Sequence, residues 1–90
     1  MTSTTKKHRD FVGEPMGHKS VRDVPGIGDN LGRRLENKGF NKASDVLGQY
    51  LHVKQDTKQF GSWLKNTSGA NSRDAGSCTR GLNEWCDNNL

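Results

Sequence analysis

Apolar residues recur along this chain at helical spacings, separated by short polar breaks that glycine or proline marks. Ala43, Val46, Leu47, Tyr50 and Leu51 follow i, i+3, i+4, i+7 and i+8, which predicts an amphipathic helix over 43–54. Asp56 is placed to cap the next helix, with Gln59 at the capping-box position. Phe60, Trp63, Leu64 and Thr67 line its inner face and Gly69 ends it. A last helix, from Asn71 or Ser72 toward Asp87, carries Cys78, Leu82, Trp85 and Cys86 on one stripe. Near the start, a helix from about Thr5 to Val12 is anchored by Phe11 and Val12. It stops before Glu14-Pro15, because the residue preceding proline avoids the helical region. Residues 13–20 read as a loop, Val21–Val24 as a short helical turn, and Asp29 to Lys38 as a helix ended by Gly39, with Phe40 in contact after the stop. No stretch has the alternation of a strand. The pattern predicts an all-α, compact bundle of about five helices plus a short one, in a single domain over 1–90 with residues 1–5 as a flexible polar tail. Leu51 and Val53 cannot share one narrow stripe, so the 43–54 helix is apolar over a wide arc, a face suited to a second copy or a docked peptide.

Between the short turn and the helix that follows it lies Val24-Pro25-Gly26-Ile27-Gly28-Asp29-Asn30-Leu31-Gly32-Arg33-Arg34-Leu35, which reads as the hairpin and second helix of a helix-hairpin-helix over 21–38. Glycine accepts positive φ at little steric cost, so Gly26-Ile27-Gly28 permits a tight turn while Ile27 points inward and pins it to the core. Two residues without side chains expose backbone N–H groups where a helix begins, and a helix N-terminus attracts phosphate. Gly-x-Gly between helices also serves as a plain turn. Pro25, the periodic Leu31 and Leu35, and the charges of Arg33 and Arg34 favour phosphate binding. Such chemistry grips the DNA backbone and cannot read bases.

Charge supports a polyanionic partner. The net charge is +4, and the excess lies in residues 1–42, which hold nine Lys/Arg against five acids, whereas residues 43–90 hold five of each. Only 29% of the 90 residues are hydrophobic and the mean hydropathy is -0.97, so the core is marginal and dimer formation is expected to add stability. No apolar run is long enough for a signal peptide or membrane span, which predicts an intracellular chain with no direct membrane insertion. Cys78 and Cys86 lie about 12 Å apart along one helix, too far to bond to each other, and are expected as buried free thiols. His8, His18 and His52 lack metal-ligand spacing, and neither a nucleophile elbow nor a nucleotide-binding phosphate loop occurs, so no metal, cofactor or catalysis is expected.

Taken together, Lys7-His8-Arg9-Asp10-Phe11-Val12-Gly13-Glu14-Pro15-Met16-Gly17, Gly26-Ile27-Gly28, Gly39-Phe40-Asn41-Lys42-Ala43, Leu47-Gly48-Gln49-Tyr50-Leu51, Trp63-Leu64-Lys65 and Asn83-Glu84-Trp85-Cys86 closely resemble the barrier-to-autointegration-factor family, from about Thr4 to the C-terminus. The resemblance implies a SAM-like fold and a metazoan chromatin protein of the nucleus and nuclear envelope, present also in the cytoplasm. It implies homodimers that bind double-stranded DNA without sequence preference and bridge two duplexes, and that bind LEM-domain proteins of the inner nuclear membrane and lamins. Carried onto matching positions, the DNA surface is Thr5, Lys6 and Lys7, the hairpin Gly26, Ile27 and Gly28, Arg34, and the start of the last helix at Asn71, Ser72 and Arg73. Arg33 joins this set from the residue reading. Gly48, Gln49, Tyr50, Leu51, His52 and Val53 take the place of the dimer and LEM-binding groove. Ser3, Thr4 and Thr5 stand where phosphorylation releases family members from DNA.

The chain departs from the family at His52, Gln59 and Asn89, where apolar or aromatic residues are usual, in the polar strip Asp87-Asn88-Asn89, and at Gly76, where a basic residue is common. These departures support a second reading: a divergent paralogue that keeps the fold as a protein-interaction module and modulates DNA bridging without bridging by itself.

Overall fold

The apolar stripes become five α-helices and one 3-10 turn in a computed structural model that describes residues 6–90. The helices are α1 (Lys6–Gly13), α2 (Asp29–Asn37), α3 (Ala43–His52), α4 (Thr57–Ser68) and α5 (Ser72–Asn89), and the 3-10 turn is Val21–Asp23. The all-α bundle of about five helices plus a short one, expected from the sequence, is the one found. Among the described residues the nearest thing to a strand is a single antiparallel bridge between Ser20 and Lys42.

Each boundary has a local cause. Ser20 caps the 3-10 turn through its hydroxyl, which accepts from Arg22 N–H, and Asp23 reaches back to the Ser20 N–H at 3.1 Å. The Asp45 carboxylate accepts the N–H groups of Asn41 and Lys42, each at 3.0 Å, at the start of α3. Asp56 caps α4 by accepting the Gln59 N–H. The expected reciprocal bond is absent, because the Gln59 amide turns to the Asp56 carboxylate at 3.4 Å while Asp56 N–H donates to Val53. Gly69, with φ +78°, ends α4 in the left-handed conformation.

Several expectations shift. Helix α3 stops at His52 rather than 54, since Lys54 and Gln55 both take positive φ, and Val53 therefore packs on the core from outside the helix. On α4 the inward position after Leu64 is Ser68, fully buried, rather than Thr67. Ser68 is tolerated there because its hydroxyl donates to the Leu64 carbonyl at 2.7 Å and accepts from Ala70 N–H. Helix α5 continues past Asp87 to Asn89.

One core unites the elements: Phe11, Val21, Val24, Ile27, Leu35, Val46, Tyr50, Phe60, Leu64 and Leu82 are buried within it. Its aromatic layer is built edge to face, Tyr50 on Phe60 at 5.3 Å and Phe40 on Trp63 at 5.0 Å between ring centres, the arrangement that ring quadrupoles favour. Trp85 Nε1–H donates to the Glu14 carbonyl at 2.8 Å, tying α5 to the loop that the Glu14-Pro15 break created.

Cys78 and Cys86 are buried and free. Burial pushes both thiols above the ordinary cysteine range, Cys78 most strongly. Cys78 is expected to resist iodoacetamide at about pH 8 under native conditions and to react only in denaturant that unfolds the chain. Rapid native labelling, read by intact-mass spectrometry, would contradict this burial.

Candidate nucleic-acid interface

The two glycines of the hairpin do different jobs. Gly26 takes φ +81°, and a Cβ there would lie 2.4 Å from the Asp74 carbonyl oxygen and 3.1 Å from Cys78 N. The turn is thus pressed directly against the backbone of α5. Pro25 extends the contact, since a Cβ on Gly81 would come within 2.7 Å of its ring. Gly28 has an ordinary extended conformation (φ -97°, ψ -162°) and a Cβ there meets nothing within 4 Å. Of the two hairpin glycines, only Gly26 uses the positive φ that the sequence permits. The contribution of Gly28 is open space beside the start of α2.

Ile27 is fully buried, as its inward orientation predicted. Its backbone is also engaged: N–H donates to Val24 at 3.0 Å, and its carbonyl accepts Lys7 Nζ at 2.6 Å. The donors left to a phosphate are therefore those at the start of α2, from Gly28 onward, which helical geometry leaves without intrahelical partners. Gly28 is the N-cap and supplies no side-chain cap. The helix start is a donor cluster with steric access.

Around it the cations are spread. Lys7 reaches the hairpin from α1, and burial lowers its pKa, an effect that Asp23 and Asp29 oppose. Lys6, one residue earlier, pairs with Asp10 at 2.6 Å on the exposed side of α1, and that hydrogen bond raises its pKa. Arg33 stays on the first turns of α2, donating to Asn30 Oδ1 at 3.0 Å. Arg34 diverges from it and donates to the Ser68 carbonyl at 3.0 Å, beside Gly69 at the α4–α5 corner.

Beyond that corner, Asn71 caps α5 by accepting the Asp74 N–H at 2.8 Å, Ser72 Oγ receives Lys65 Nζ at 3.0 Å, and Arg73 is exposed. Because Asp74 also backs Gly26, the first turn of α5 abuts the hairpin. Lys7, the hairpin, the start of α5 and Arg34 are joined by contacts into one region. Ser3, Thr4 and Thr5 lie outside the described residues.

Arg22 was not anticipated in this region. It lies over buried Gly32 and donates to Glu36 through Nε at 3.2 Å and Nη2 at 2.9 Å, with Asp29 at 3.4 Å, so it fastens the 3-10 turn to α2. The Ser20-x-x-Asp23 spacing was the signal in the sequence for the cap that fixes this turn.

The residues expected at the dimer and LEM-binding groove divide. Leu51 is 39% exposed, and Gly48 and His52 are exposed, while Gln49 and Val53 are half-buried. Tyr50 belongs to the core of the chain instead, because it falls one turn after Val46 on the buried stripe. Its hydroxyl meets Asn83 Oδ1 at 3.1 Å. The polar C-terminal strip also has an internal use: Asn88 and Asn89 each donate to the Val12 carbonyl at 3.3 Å, and Asn89 to Trp85 at 2.9 Å, closing the end of α1.

Fold and site define a small helix-hairpin-helix protein of the SAM-like all-α class, with a donor-rich helix start flanked by cations. The profile of the family described as Barrier to autointegration factor matches residues 2–89. Among similar proteins is the Danio rerio Barrier-to-autointegration factor, 56% identical over 90 residues and covering all of both chains. The Homo sapiens protein of that name is 53% identical over 85 residues, 94% of this chain and 96% of its own. The Drosophila melanogaster protein is 49% identical over 87 residues, 97% of each. The chain belongs to the barrier-to-autointegration-factor family, whose members are non-enzymatic DNA-binding proteins.

The contrast between the glycines is testable without DNA. Gly26→Ala is expected to cost about 1–3 kcal/mol through overpacking and to lower Tm by on the order of 10 °C. Gly28→Asp places a favoured N-cap carboxylate in open space and is expected to leave Tm unchanged or raise it. A circular-dichroism melt that ranks the two variants the other way would refute the assignment.

Proposed function

We propose that this protein binds double-stranded DNA through its backbone, without sequence preference, and as a homodimer bridges two duplexes. In that role it links chromatin to LEM-domain proteins of the inner nuclear membrane and to lamins, in the nucleus and at the nuclear envelope, with a cytoplasmic pool. One domain spanning the chain carries these contacts. The observation that supports the DNA reading best is the open start of α2 at Gly28, held beside Lys7 and the first turn of α5. Backbone amides and flexible cations contact phosphate, which every sequence presents alike, and the affinity is therefore salt-sensitive and sequence-blind. Among the described residues no helix is long and apolar enough to cross a membrane.

Self-association is supported by the exposed apolar residues Leu51 and Leu90, 39% and 74% accessible, on a chain with a marginal core. The second reading, a paralogue that binds DNA without bridging it, is favoured by one observation. His52 and Gln59 border the same shallow cleft as Trp63, where an apolar lining would make a stronger contact.

A two-duplex capture separates the readings. With one duplex immobilised and a second, unrelated labelled duplex free, the wild-type protein is expected to retain the label at low salt and lose it at moderate salt. Gly28→Asp, which preserves the fold, is expected to abolish both binding and capture. Binding to the immobilised duplex without capture selects the non-bridging reading. Glutamate at Thr4 and Thr5 is expected to weaken binding several-fold at low salt, through negative charge beside Lys6 and Lys7, and unchanged affinity in fluorescence anisotropy would reject a phosphorylation switch there.

A further inference from the structure

Helices α4 and α5 run antiparallel from the Gly69 corner, and between them lies an open groove of about 540 Å³. Lys58, Lys65 and Arg80 line it, with Ser62 and Ser72 among its hydroxyls, and no carboxylate contributes to its walls. Gly61 and Gly76 keep it wide: a Cβ on Gly61 meets nothing within 4 Å, and one on Gly76 meets only the Arg80 guanidinium at 3.5 Å. Three of the five cations of residues 43–90 thus converge on one surface. The balanced charge of that half conceals this, because none of its acids lines the groove. Asp45 and Asp56 hold helix starts, and Glu84 lies 3.2 Å from His8 on α1.

The groove has a direction. Lys65 meets Ser72 at its near end, at the start of α5 where the hairpin abuts. Lys58 and Arg80 stand toward its far end, one early in α4 and the other about 12 Å further along α5 at 1.5 Å per residue. One strand of B-DNA presents a phosphate for about every 3.4 Å of helix axis, and its winding roughly doubles their separation in space, so a strip of this length faces about two of them.

We infer that the α4–α5 groove is a second contact track for DNA, in which Lys58 and Arg80 engage backbone phosphates of the duplex held at the hairpin. This rests on the DNA-backbone reading of the hairpin and extends it. Charge complementarity selects a polyanion. Continuity through Ser72 with the start of α5 selects the duplex already bound there over a separate acidic protein.

The salt dependence of binding reads the number of phosphates engaged, at a slope of about 0.9 in log K per log salt for each one neutralised. Lys58→Ala/Arg80→Ala is expected to flatten the slope by nearly two, so that the loss of affinity between about 0.05 and 0.2 M salt shrinks roughly tenfold. Lys38→Ala, on α2's far end from Gly28 and outside the groove, is expected to change the slope little. Anisotropy on a random-sequence duplex measures all three, with melts verifying that each variant folds. An unchanged slope in the folded double variant overturns the track. So does polyglutamate that binds wild type, but not the double variant, while the DNA slope stays unchanged, since that assigns the groove to an acidic protein. If Gly28→Asp retains full DNA affinity while the double variant loses slope, the hairpin reading fails and the groove stands.

Discussion

The close approach of the hairpin to α5 is the constraint on which the rest of the structure depends. With no Cβ on Gly26 the turn rests on the Asp74 carbonyl, and with none on Gly81 the Pro25 ring settles against the helix. Ile27 is then driven into the core, and the helix following it emerges with its start facing outward at Gly28. The same contact sets the first turn of α5 beside the hairpin, so two helix starts share one region. A side chain at either glycine would push the turn off the helix and separate them.

Most of the cations around that region are not neutralised by a carboxylate, which fits their proposed task. Lys7, Arg33 and Arg34 bond to neutral oxygens, those of Ile27, Asn30 and Ser68, and Lys6 pairs with a carboxylate on the exposed side of α1. The exposed Lys6–Asp10 pair exchanges for phosphate at small cost, because surface ion pairs are worth about 0–1 kcal/mol. Arg22 differs. It is committed to Glu36 and Asp29 and acts as a brace between the 3-10 turn and α2. Charge that looks uniform in the sequence thus separates into structural cations and available ones.

The positions at which the sequence is expected to depart from its family have distinct surroundings. Asn88 and Asn89 close the end of α1 through the Val12 carbonyl, so the polar strip satisfies backbone acceptors within the chain. Gly76 opens the α4–α5 groove and leaves Arg80 to supply its charge. His52 and Gln59 remain on the surface beside Trp63, Gln59 with its amide turned to the Asp56 carboxylate.

Periodicity alone was sufficient for the helices, because burial of an apolar stripe is set by residue spacing: Ala43, Val46 and Tyr50 of the α3 stripe, the Asp56 cap and the Gly69 stop all lie where the sequence places them. The hairpin was legible for the same reason, its glycines and its inward Ile27 being local features. What separates Gly26 from Gly28 was not, since one meets α5 from some fifty residues away in sequence and the other meets nothing. Nor was the end of α3, where Lys54 and Gln55 turn left-handed without a glycine to announce it, or the change from Thr67 to Ser68 as the buried position. The union of Lys58, Lys65 and Arg80 required two helices to lie antiparallel. Sequence by itself determined the elements, the family and the chemistry available to the hairpin. Tertiary structure decided which cations are free and which surfaces meet, because electrostatics and packing depend on distances in space that no spacing along the chain encodes.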